Sequence, residues 1–287
     1  MPILALTATA SPTRRMEIVK LLSMKKTTEI IVNCDRPNII YSCLKSNNSD
    51  SCMRSCFDWM IKMLKSDKEQ SPKCIIYCRN IPVVGRVYDM IMREMGKEGY
   101  IGDESFHNCL VAMFHRSSIQ RNKEHVLKNF PKNNSITRIV VATSAFGMGI
   151  NIPDVRYVLH WGTPRTMESF FQESGRGGRD GLQSNSVIYY HPINLRVKMT
   201  DKELIQYCKD DNMCRRKRLI SYFTPSIEMI PSTCPHLCCD VCCVNCKCGQ
   251  CPINIATASA TSMATSEIDT SEMEDNDTVD MDDDVFD

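Results

Sequence analysis

Short apolar runs alternate along the chain with longer segments in which apolar residues recur at helical spacing. The short runs have the length and continuity of strands that are covered on both faces. They are Cys74–Cys78, Leu110–Phe114, Ile139–Val141, Val155–His160 and Ser186–Tyr190. The longer segments predict helices and are Cys52–Leu64, Val83–Met95 and Ile119–Phe130. Strands that alternate with helices of about 10 or more residues predict an α/β fold, a parallel sheet with helices on both faces.

The pattern changes at both ends of this alternating region. Leu4–Ala10 reads as the end of a strand that runs into a loop of small residues. Pro37 then breaks the regularity, as expected of a linker. After Pro192 only helical patterns remain. Two of them predict an antiparallel pair of helices, Asp201–Lys209 and Cys214–Phe223.

Charge is distributed unevenly along the 287 residues, although the net charge is only +1. Residues 267–287 contain 11 acidic residues and no basic ones, which leaves 35 basic and 23 acidic residues in residues 1–266. The basic body favours a polyanionic partner. The acidic tail is expected to be solvated and disordered, to compete for the same surface, and to offer a site for protein partners.

Cysteine usage indicates a reducing compartment and a metal. Eight of the 17 cysteines lie between Cys234 and Cys251, and the others are scattered through strand and helix patterns. Such clustering is typical of a metal site rather than a secreted disulfide framework. No apolar run reaches the roughly 18 residues that a membrane span needs, and the start of the chain is too short for a signal peptide. We therefore expect an intracellular protein without a membrane partner.

Two loops rich in small, polar and basic residues carry the candidate chemistry. Gly147 and Gly149 release the backbone after one strand, and ligands usually bind at the carboxyl ends of parallel strands. Arg176 and Arg179 are three residues apart, which on a helix would place both guanidinium groups on one face. Two fixed cations suit a polyphosphate. The alternative is a flexible basic loop or a nonspecific RNA-binding patch, but the preceding Phe170–Phe171 pair favours an ordered structure.

The segments Ala142–Asn151 and Gln172–Gly181 resemble motifs V and VI of the RecQ-family DNA helicases, which belong to helicase superfamily 2. The resemblance implies an ATP-driven 3′-to-5′ DNA strand separator. In such enzymes these motifs line the nucleotide cleft from the second of two RecA-like motor lobes. ATP and Mg²⁺ would therefore be shared with a first lobe.

The same resemblance implies roles for six residues of the two loops. Arg176 and Arg179 would reach the γ-phosphate, one or both as arginine fingers. Gln172 would sense the nucleotide or connect the lobes. The residues that couple nucleotide state to the cleft would be Gly147, Gly149 and Asn151.

Other segments resemble motifs of the same family along the DNA path. Leu4–Ala10 resembles motif III, and Cys74–Cys78 resembles motif IV. His115 follows a strand where the family carries a histidine loop that faces DNA phosphate, although a purely structural histidine is equally expected. The residues that the resemblance assigns to single-stranded DNA and duplex junctions are Thr7, Thr9, His115, Thr143 and Ser144. A nuclear protein of DNA repair, recombination or replication is implied.

A zinc-binding module is implied by a further part of the resemblance. Cys214, Cys239 and Cys242 match cysteines of the family pattern, and the remaining cysteine position falls on His236. A Cys3His site is chemically sound for zinc, and Cys238 or Cys234 could replace the histidine. The later cysteines either bind a second zinc or remain reduced thiols; they are Cys243, Cys246, Cys248 and Cys251. The basic run Arg215–Arg218 could contact DNA, act as an import signal or form plain surface.

These resemblances divide the chain into four expected parts. They are a remnant of a first RecA-like lobe (residues 1–34), a second RecA-like lobe (35–193), a helical zinc-binding module (194–252) and a disordered Ser/Thr-rich and acidic tail (253–287).

Two functions are compatible with this division. No segment matches Gly-x-x-x-x-Gly-Lys-Ser/Thr, so we expect the chain alone to be inactive without a first lobe. It would be either half of a helicase or a truncated, non-catalytic half-motor that binds DNA or protein. An RNA-directed superfamily 2 protein does not explain Cys214-Arg-Arg together with Cys239-Asp-x-Cys.

Overall fold

The computed structural model describes residues 3–7, 9–47, 49–147, 149–225, 230 and 234–248. The strands are β1 (Ile39–Lys45), β2 (Lys73–Cys78), β3 (Val111–Phe114), β4 (Ile139–Ala142), β5 (Val155–Trp161) and β6 (Ser184–Tyr190). The helices are α1 (Pro12–Leu21), α2 (Asp50–Asp67), α3 (Ile81–Met95), α4 (Gln120–Asn129), α5 (Met167–Ser174), α6 (Lys202–Lys209), α7 (Arg215–Phe223) and α8 (Asp240–Val244). None of these helices is long and apolar enough to cross a membrane. The predicted tail, residues 253–287, lies outside the described residues.

The six strands form one parallel sheet in the order β1-β6-β5-β2-β4-β3. All five strands predicted from the sequence are present, and the predicted parallel α/β sheet is confirmed. The strand β1 was missed. It pairs with β6 over its full length, from Ile39 opposite Ser184 to Lys45 opposite Tyr190.

Helices cover both faces of the sheet. On one face α2 and α3 contribute Phe57, Leu64 and Ile91 to a buried cluster that includes residues of β2, β4, β5 and β6. On the opposite face α4 packs through Val126 on β2, β3 and β4, while α5 packs through Phe170 on β1 and β6. Each such fully buried side chain contributes about 1.5–3 kcal/mol to folding. The confirmed two-sided covering leaves the carboxyl ends of the strands available for a site.

The helices α6 and α7, predicted after Pro192, share a core with the sheet. The Tyr207 ring of α6 lies 5.2 Å from the Phe170 ring of α5, measured between centroids. The Phe223 ring of α7 lies 4.5 Å from the Phe171 ring of the same helix. Aromatic pairs at these distances stabilise beyond the area they bury. The C-terminal helices are therefore fixed against the helix that leads into the arginine loop.

Among the described residues before β1 there is one helix and no strand. Ser11 Oγ accepts a hydrogen bond from Arg14 N and caps α1, with Pro12 in the first turn. The strand end predicted at Leu4–Ala10 is wrong for residues 4–7, 9 and 10, which are irregular. A strand requires a hydrogen-bonded neighbour, and no strand of the described sheet lies beside these residues. Several of their apolar side chains are exposed, including Leu4 and Leu6.

Candidate nucleotide cleft and metal centre

One cavity brings together the residues that the sequence assigned to nucleotide chemistry. It lies between the loop after β4, the end of α5 and the segment before β1. Its lining includes all six of those residues and one of the predicted DNA contacts, Thr9. The six are Gly147, Gly149, Asn151, Gln172, Arg176 and Arg179.

Arg176 lies against the backbone of the loop after β4. Its guanidinium donates a hydrogen bond to the carbonyl oxygen of Gly147. Gly147 has φ +110°, and a Cβ at this position would lie 2.3 Å from Arg176 Cζ. Any other residue would therefore be strained and would displace the guanidinium. The positive φ favours glycine here, and the absence of a Cβ leaves room for the Arg176 guanidinium.

Arg179 reaches the same loop from the other side. Its Nη1 donates to Asn151 Oδ1 at 3.0 Å and to the carbonyl oxygen of Ile150 at 3.3 Å. Burial, followed by the positive charges of Arg176 and Arg36, lowers the pKa of Arg179. A guanidinium nevertheless stays charged at neutral pH. Among the described residues, none of these three arginines forms a salt bridge, so the cleft holds three uncompensated positive charges.

The spacing of Arg176 and Arg179 had suggested that both lie on one helix, but neither does. The helix α5 ends at Ser174, and residues 175–180 form turns. Within these turns Gly178 adopts φ +55°, a left-handed conformation that does not continue a helix. Both side chains reach the cleft because the turns direct them there.

Gln172 connects the end of α5 to the segment before β1. Its Nε2 donates a hydrogen bond of 2.6 Å to Thr9 Oγ1. Gln172 is exposed and Thr9 is half-buried. Thr7 precedes Thr9 in the same segment, and its Oγ1 accepts a hydrogen bond of 3.2 Å from Thr9 N. Thr7 does not line the cleft.

The other predicted DNA contacts lie at neighbouring strand ends. His115 follows β3, and Thr143 follows β4, where its N donates to the carbonyl oxygen of Phe114 at 3.2 Å. Ser144 lines a smaller cavity that also contains Arg79 and Arg165. Neither arginine stands out in the sequence. Burial and the neighbouring positive charge of Arg165 lower the pKa of Arg79.

Four cysteines form a first group that could hold a metal ion. The sulfur atoms of Cys214, Cys238, Cys239 and Cys242 all lie within 4.8 Å of one another. Cys214 Sγ is 3.5 Å from Cys238 Sγ and 3.9 Å from Cys239 Sγ. Zinc–sulfur bonds of about 2.3 Å in a tetrahedron place sulfur atoms about 3.8 Å apart. The four thiols therefore fit a Zn²⁺ ion.

The fourth ligand position differs from the sequence assignment. His236 lies outside the group of four, with Nδ1 at 3.4 Å from Cys246 Sγ and 3.3 Å from Cys248 Sγ. Cys238, which the sequence left open as an alternative, lies with the other three thiols instead. The turn Pro235–Leu237 directs the His236 side chain toward the residues that follow α8. It thereby separates His236 from Cys238. Cys251 lies outside the described residues.

Two of the thiols cap the N-termini of helices. Cys214 Sγ accepts a hydrogen bond from Lys217 N at the start of α7, and Cys239 Sγ accepts from Cys242 N at the start of α8. Hydrogen bonds with Cys238 and Cys239 lower the pKa of Cys214 far below its ordinary value. Helix N-termini stabilise thiolates, which are the form that binds metal.

Comparison with known proteins gives the family. The family model described as helicase conserved C-terminal domain matches residues 55–181. The RecQ-like DNA helicase BLM of Xenopus laevis is 30% identical over 241 residues, covering 77% of this chain and 16% of that protein. The ATP-dependent DNA helicase RecQ of Haemophilus influenzae is 30% identical over 257 residues, covering 84% and 37%. The chain contains a RecQ-family helicase C-terminal region.

The structural comparison agrees with the fold of this helicase region. Saccharomyces cerevisiae Dbp5, solved with RNA and ADP BeF3, superposes with a TM-score of 0.51 at 17% identity, covering 71% of this chain and 48% of that one. The predicted RecA-like lobe is therefore confirmed as a fold. The chain spans well under half the length of the two curated RecQ relatives.

A short segment before β1, Asp35-Arg36-Pro37-Asn38, ties the arginine loop of the helicase region to its C-terminal helices. Arg36 donates to the carbonyl oxygens of Gly177 at 2.9 Å and Gly178 at 2.8 Å. Asn38 Nδ2 also donates to Gly178 O, at 2.7 Å. The sequence had indicated only a linker here. The segment instead fixes the backbone of the loop that carries Arg176 and Arg179.

Asp35 connects the same segment to the C-terminal helices. Its carboxylate accepts from Arg216 Nε at 2.6 Å and Nη2 at 2.5 Å, and from Ile230 N at 2.9 Å. Both side chains of the ion pair are almost completely buried, with 1% of Arg216 and 0% of Asp35 exposed. The bidentate geometry and the third hydrogen bond satisfy the buried carboxylate.

The basic run Arg215–Arg218 is therefore mainly internal. Arg215 is buried and pairs with Asp240 and Asp211, and Arg218 pairs with Asp210 at 2.6 Å. Only Lys217 of the run is exposed. The three interpretations left open by the sequence all assumed an exposed run, whereas its arginines pair with the nearby Asp210 and Asp211 and with the distant Asp35 and Asp240.

Replacing Asp35 with alanine is expected to lower the free energy of unfolding by about 3–5 kcal/mol, because it leaves the Arg216 charge buried without a partner. Urea unfolding followed by circular dichroism measures the change. Glu17→Ala is the control, because its pair with Arg14 is exposed and should contribute less than about 1 kcal/mol. Equal losses in the two variants would contradict the role assigned to Asp35.

Proposed function

We propose that this chain provides the second motor lobe and the zinc module of an ATP-dependent 3′-to-5′ DNA helicase that acts in repair, recombination or replication in the nucleus. ATP with Mg²⁺ binds between this lobe and a first RecA-like lobe. Residues 1–34 belong to that first lobe, residues 35–193 form the second, and residues 194–252 form the module. The similarity to relatives named DNA helicases supports DNA as the substrate.

The observation that carries this proposal is the set of three arginines around one cavity. Arg36, Arg176 and Arg179 approach the cleft without a carboxylate to neutralise them among the described residues. Such a site favours a ligand with several negative charges, and guanidinium groups match phosphate oxygens in geometry. A nucleoside triphosphate provides both features.

Within this cleft each residue has a distinct task. Arg176 and Arg179 neutralise negative charge on the γ-phosphate, where one or both act as arginine fingers. Gly147 and Asn151 hold these two guanidinium groups, so the loop after β4 moves with them. The contact of Gln172 with Thr9 carries the nucleotide state toward the first lobe.

DNA passes along the neighbouring strand ends, at His115, Thr143 and Ser144. The arginine pair Arg79 and Arg165 beside Ser144 adds the positive charge that a phosphate backbone requires. Thr7 and Thr9, in the segment before β1, contact the DNA strand. Because the grip depends on phosphates, affinity falls steeply as salt rises.

The test is DNA-stimulated ATP hydrolysis by a protein that carries this chain together with a RecQ-family first lobe. Single-stranded DNA should stimulate hydrolysis, a matched RNA should stimulate it less, and a duplex with a 3′ single-stranded tail should be unwound. DNA binding without hydrolysis would favour the alternative, a non-catalytic module that binds DNA or protein. Stimulation by RNA alone would exclude DNA as the substrate.

The acidic tail, which lies outside the described residues, gives a separate prediction. Deleting residues 267–287 removes 11 acidic residues and should strengthen binding of single-stranded DNA several-fold at low salt. The difference should disappear near 1 M salt, where charges are screened beyond about 3 Å. Fluorescence anisotropy measures both affinities. Deleting residues 253–266, which carry no charge, is the control and should change nothing. Equal affinity in all three proteins would remove the masking role.

A further inference from the structure

A second group of metal ligands lies beside the four-cysteine site. It contains His236, Cys246 and Cys248, whose ligand atoms all lie within 4.8 Å of one another. His236 belongs to the turn Pro235–Leu237 before α8, whereas both cysteines follow that helix. The chain therefore returns to the turn after passing through α8, and three metal-binding side chains meet there.

The distances within the group fit a bound ion. His236 Nδ1 is 3.3 Å from Cys248 Sγ and 3.4 Å from Cys246 Sγ. With bonds of about 2.0 Å to nitrogen and about 2.3 Å to sulfur, a tetrahedral zinc ion separates these ligand atoms by about 3.5 Å. One nitrogen can thus approach both sulfur atoms at the separation that a shared ion imposes.

The ligand types select the metal. Two thiolates with one imidazole suit a borderline-soft divalent ion, whereas hard ions such as Mg²⁺ and Ca²⁺ prefer oxygen ligands. Cys248 is exposed and the other two residues are half-buried, so an ion has a path to the group. The Cys246-Lys247-Cys248 spacing also lets both thiols reach one ion from a short loop.

We propose that His236, Cys246 and Cys248 bind a second Zn²⁺ ion, distinct from the ion of the four-cysteine site. Three protein ligands leave the fourth coordination position for water or another thiol. The ion joins the turn before α8 to the residues after it. Because α8 itself spans only Asp240–Val244, such a connection fixes an element too short to be stable alone. The sequence had left open whether the later cysteines bind a second zinc or remain reduced thiols, and it had given His236 to the first site.

Zinc stoichiometry of the full chain tests this proposal. The protein is loaded with Zn²⁺ under reducing conditions, freed of loosely bound ions by gel filtration, and assayed by mass spectrometry for metal and by amino-acid analysis for protein. The wild type should hold about two ions per chain. His236→Ala and Cys248→Ser should each hold about one. Lys247→Ala, between the two thiols, and Cys34→Ser, outside both groups, are matched controls that should keep about two.

Cobalt spectra identify the ligands independently of stoichiometry. Co²⁺ added to the wild type should give visible absorption from two environments, one of four sulfurs and one that includes nitrogen. The difference spectrum between wild type and His236→Ala should contain only the nitrogen-containing component. One zinc ion in the wild type, or two ions retained in both His236→Ala and Cys248→Ser, would overturn the second site. Because Cys248 is exposed, its substitution is expected to leave the fold intact, which circular dichroism checks.

Discussion

Replacing Arg179 with alanine is expected to lower DNA-stimulated ATP hydrolysis about 10³-fold or more, in a protein that also carries a first lobe. The guanidinium lies at the cleft, and in the part of the chain that the structure describes it donates hydrogen bonds only to Asn151 and to the carbonyl oxygen of Ile150. Its removal therefore takes away charge at the γ-phosphate without opening the core. DNA affinity, which depends on other strand ends, should change by less than about twofold.

Two further variants separate this explanation from a general disturbance. Arg179→Lys keeps the charge but loses the planar donor geometry, so it should restore only part of the rate. Arg93→Ala removes an exposed arginine from α3, far from the cleft, and should leave hydrolysis unchanged. Hydrolysis by Arg179→Ala within tenfold of the wild-type rate would refute the assignment of this residue as an arginine finger.

Replacing Cys239 with serine is expected to release the ion of the four-cysteine site and to unfold the module around it. This thiol is a ligand and also accepts the first hydrogen bond of α8 from Cys242 N. A structural zinc site contributes on the order of 10 kcal/mol or more to folding. Metal analysis should show one ion fewer, and limited proteolysis should cut between α6 and α8.

The controls for this variant use other thiols. Cys34→Ser, outside both ligand groups, should keep its metal and its resistance to protease. Cys248→Ser should lose the second ion while the module resists proteolysis better than in Cys239→Ser. Unchanged metal content in Cys239→Ser would exclude Cys239 from the ligand set.

The central strands could be predicted from the sequence because burial on both faces leaves a continuous apolar run. Ile139–Val141 is the clearest example. β1 could not be recognised in this way. Its sequence, Ile-Ile-Tyr-Ser-Cys-Leu-Lys, interrupts the apolar run with Ser42, and it follows directly on the polar segment that was interpreted as a linker. Its position depends on partners about 145 residues later in the chain.

The cleft residues were predictable in identity and less so in geometry. The glycines and arginines of the two loops were selected correctly as neighbours, since they meet at one cavity. The turn after α5 was not, because a left-handed Gly178 is visible only in three dimensions. The partner of Arg216 is Asp35, 181 residues away, and no local pattern connects the two. The spacing likewise could not show that Cys238, and not His236, lies beside Cys214, because that depends on the direction of each side chain.

The four-cysteine site also protects one side of the sheet. Tyr41 N of β1 donates to the carbonyl oxygen of Cys238, and Cys43 N donates to Asp240 Oδ2 at 2.9 Å. The module thereby occupies backbone donors of a strand that, in the part of the chain that the structure describes, has no other neighbour on that side. If Zn²⁺ holds the four cysteines as we propose, its removal would leave β1 as a bare edge that can pair with the same strand of another molecule. Zinc-stripped protein is then expected to aggregate through its sheet.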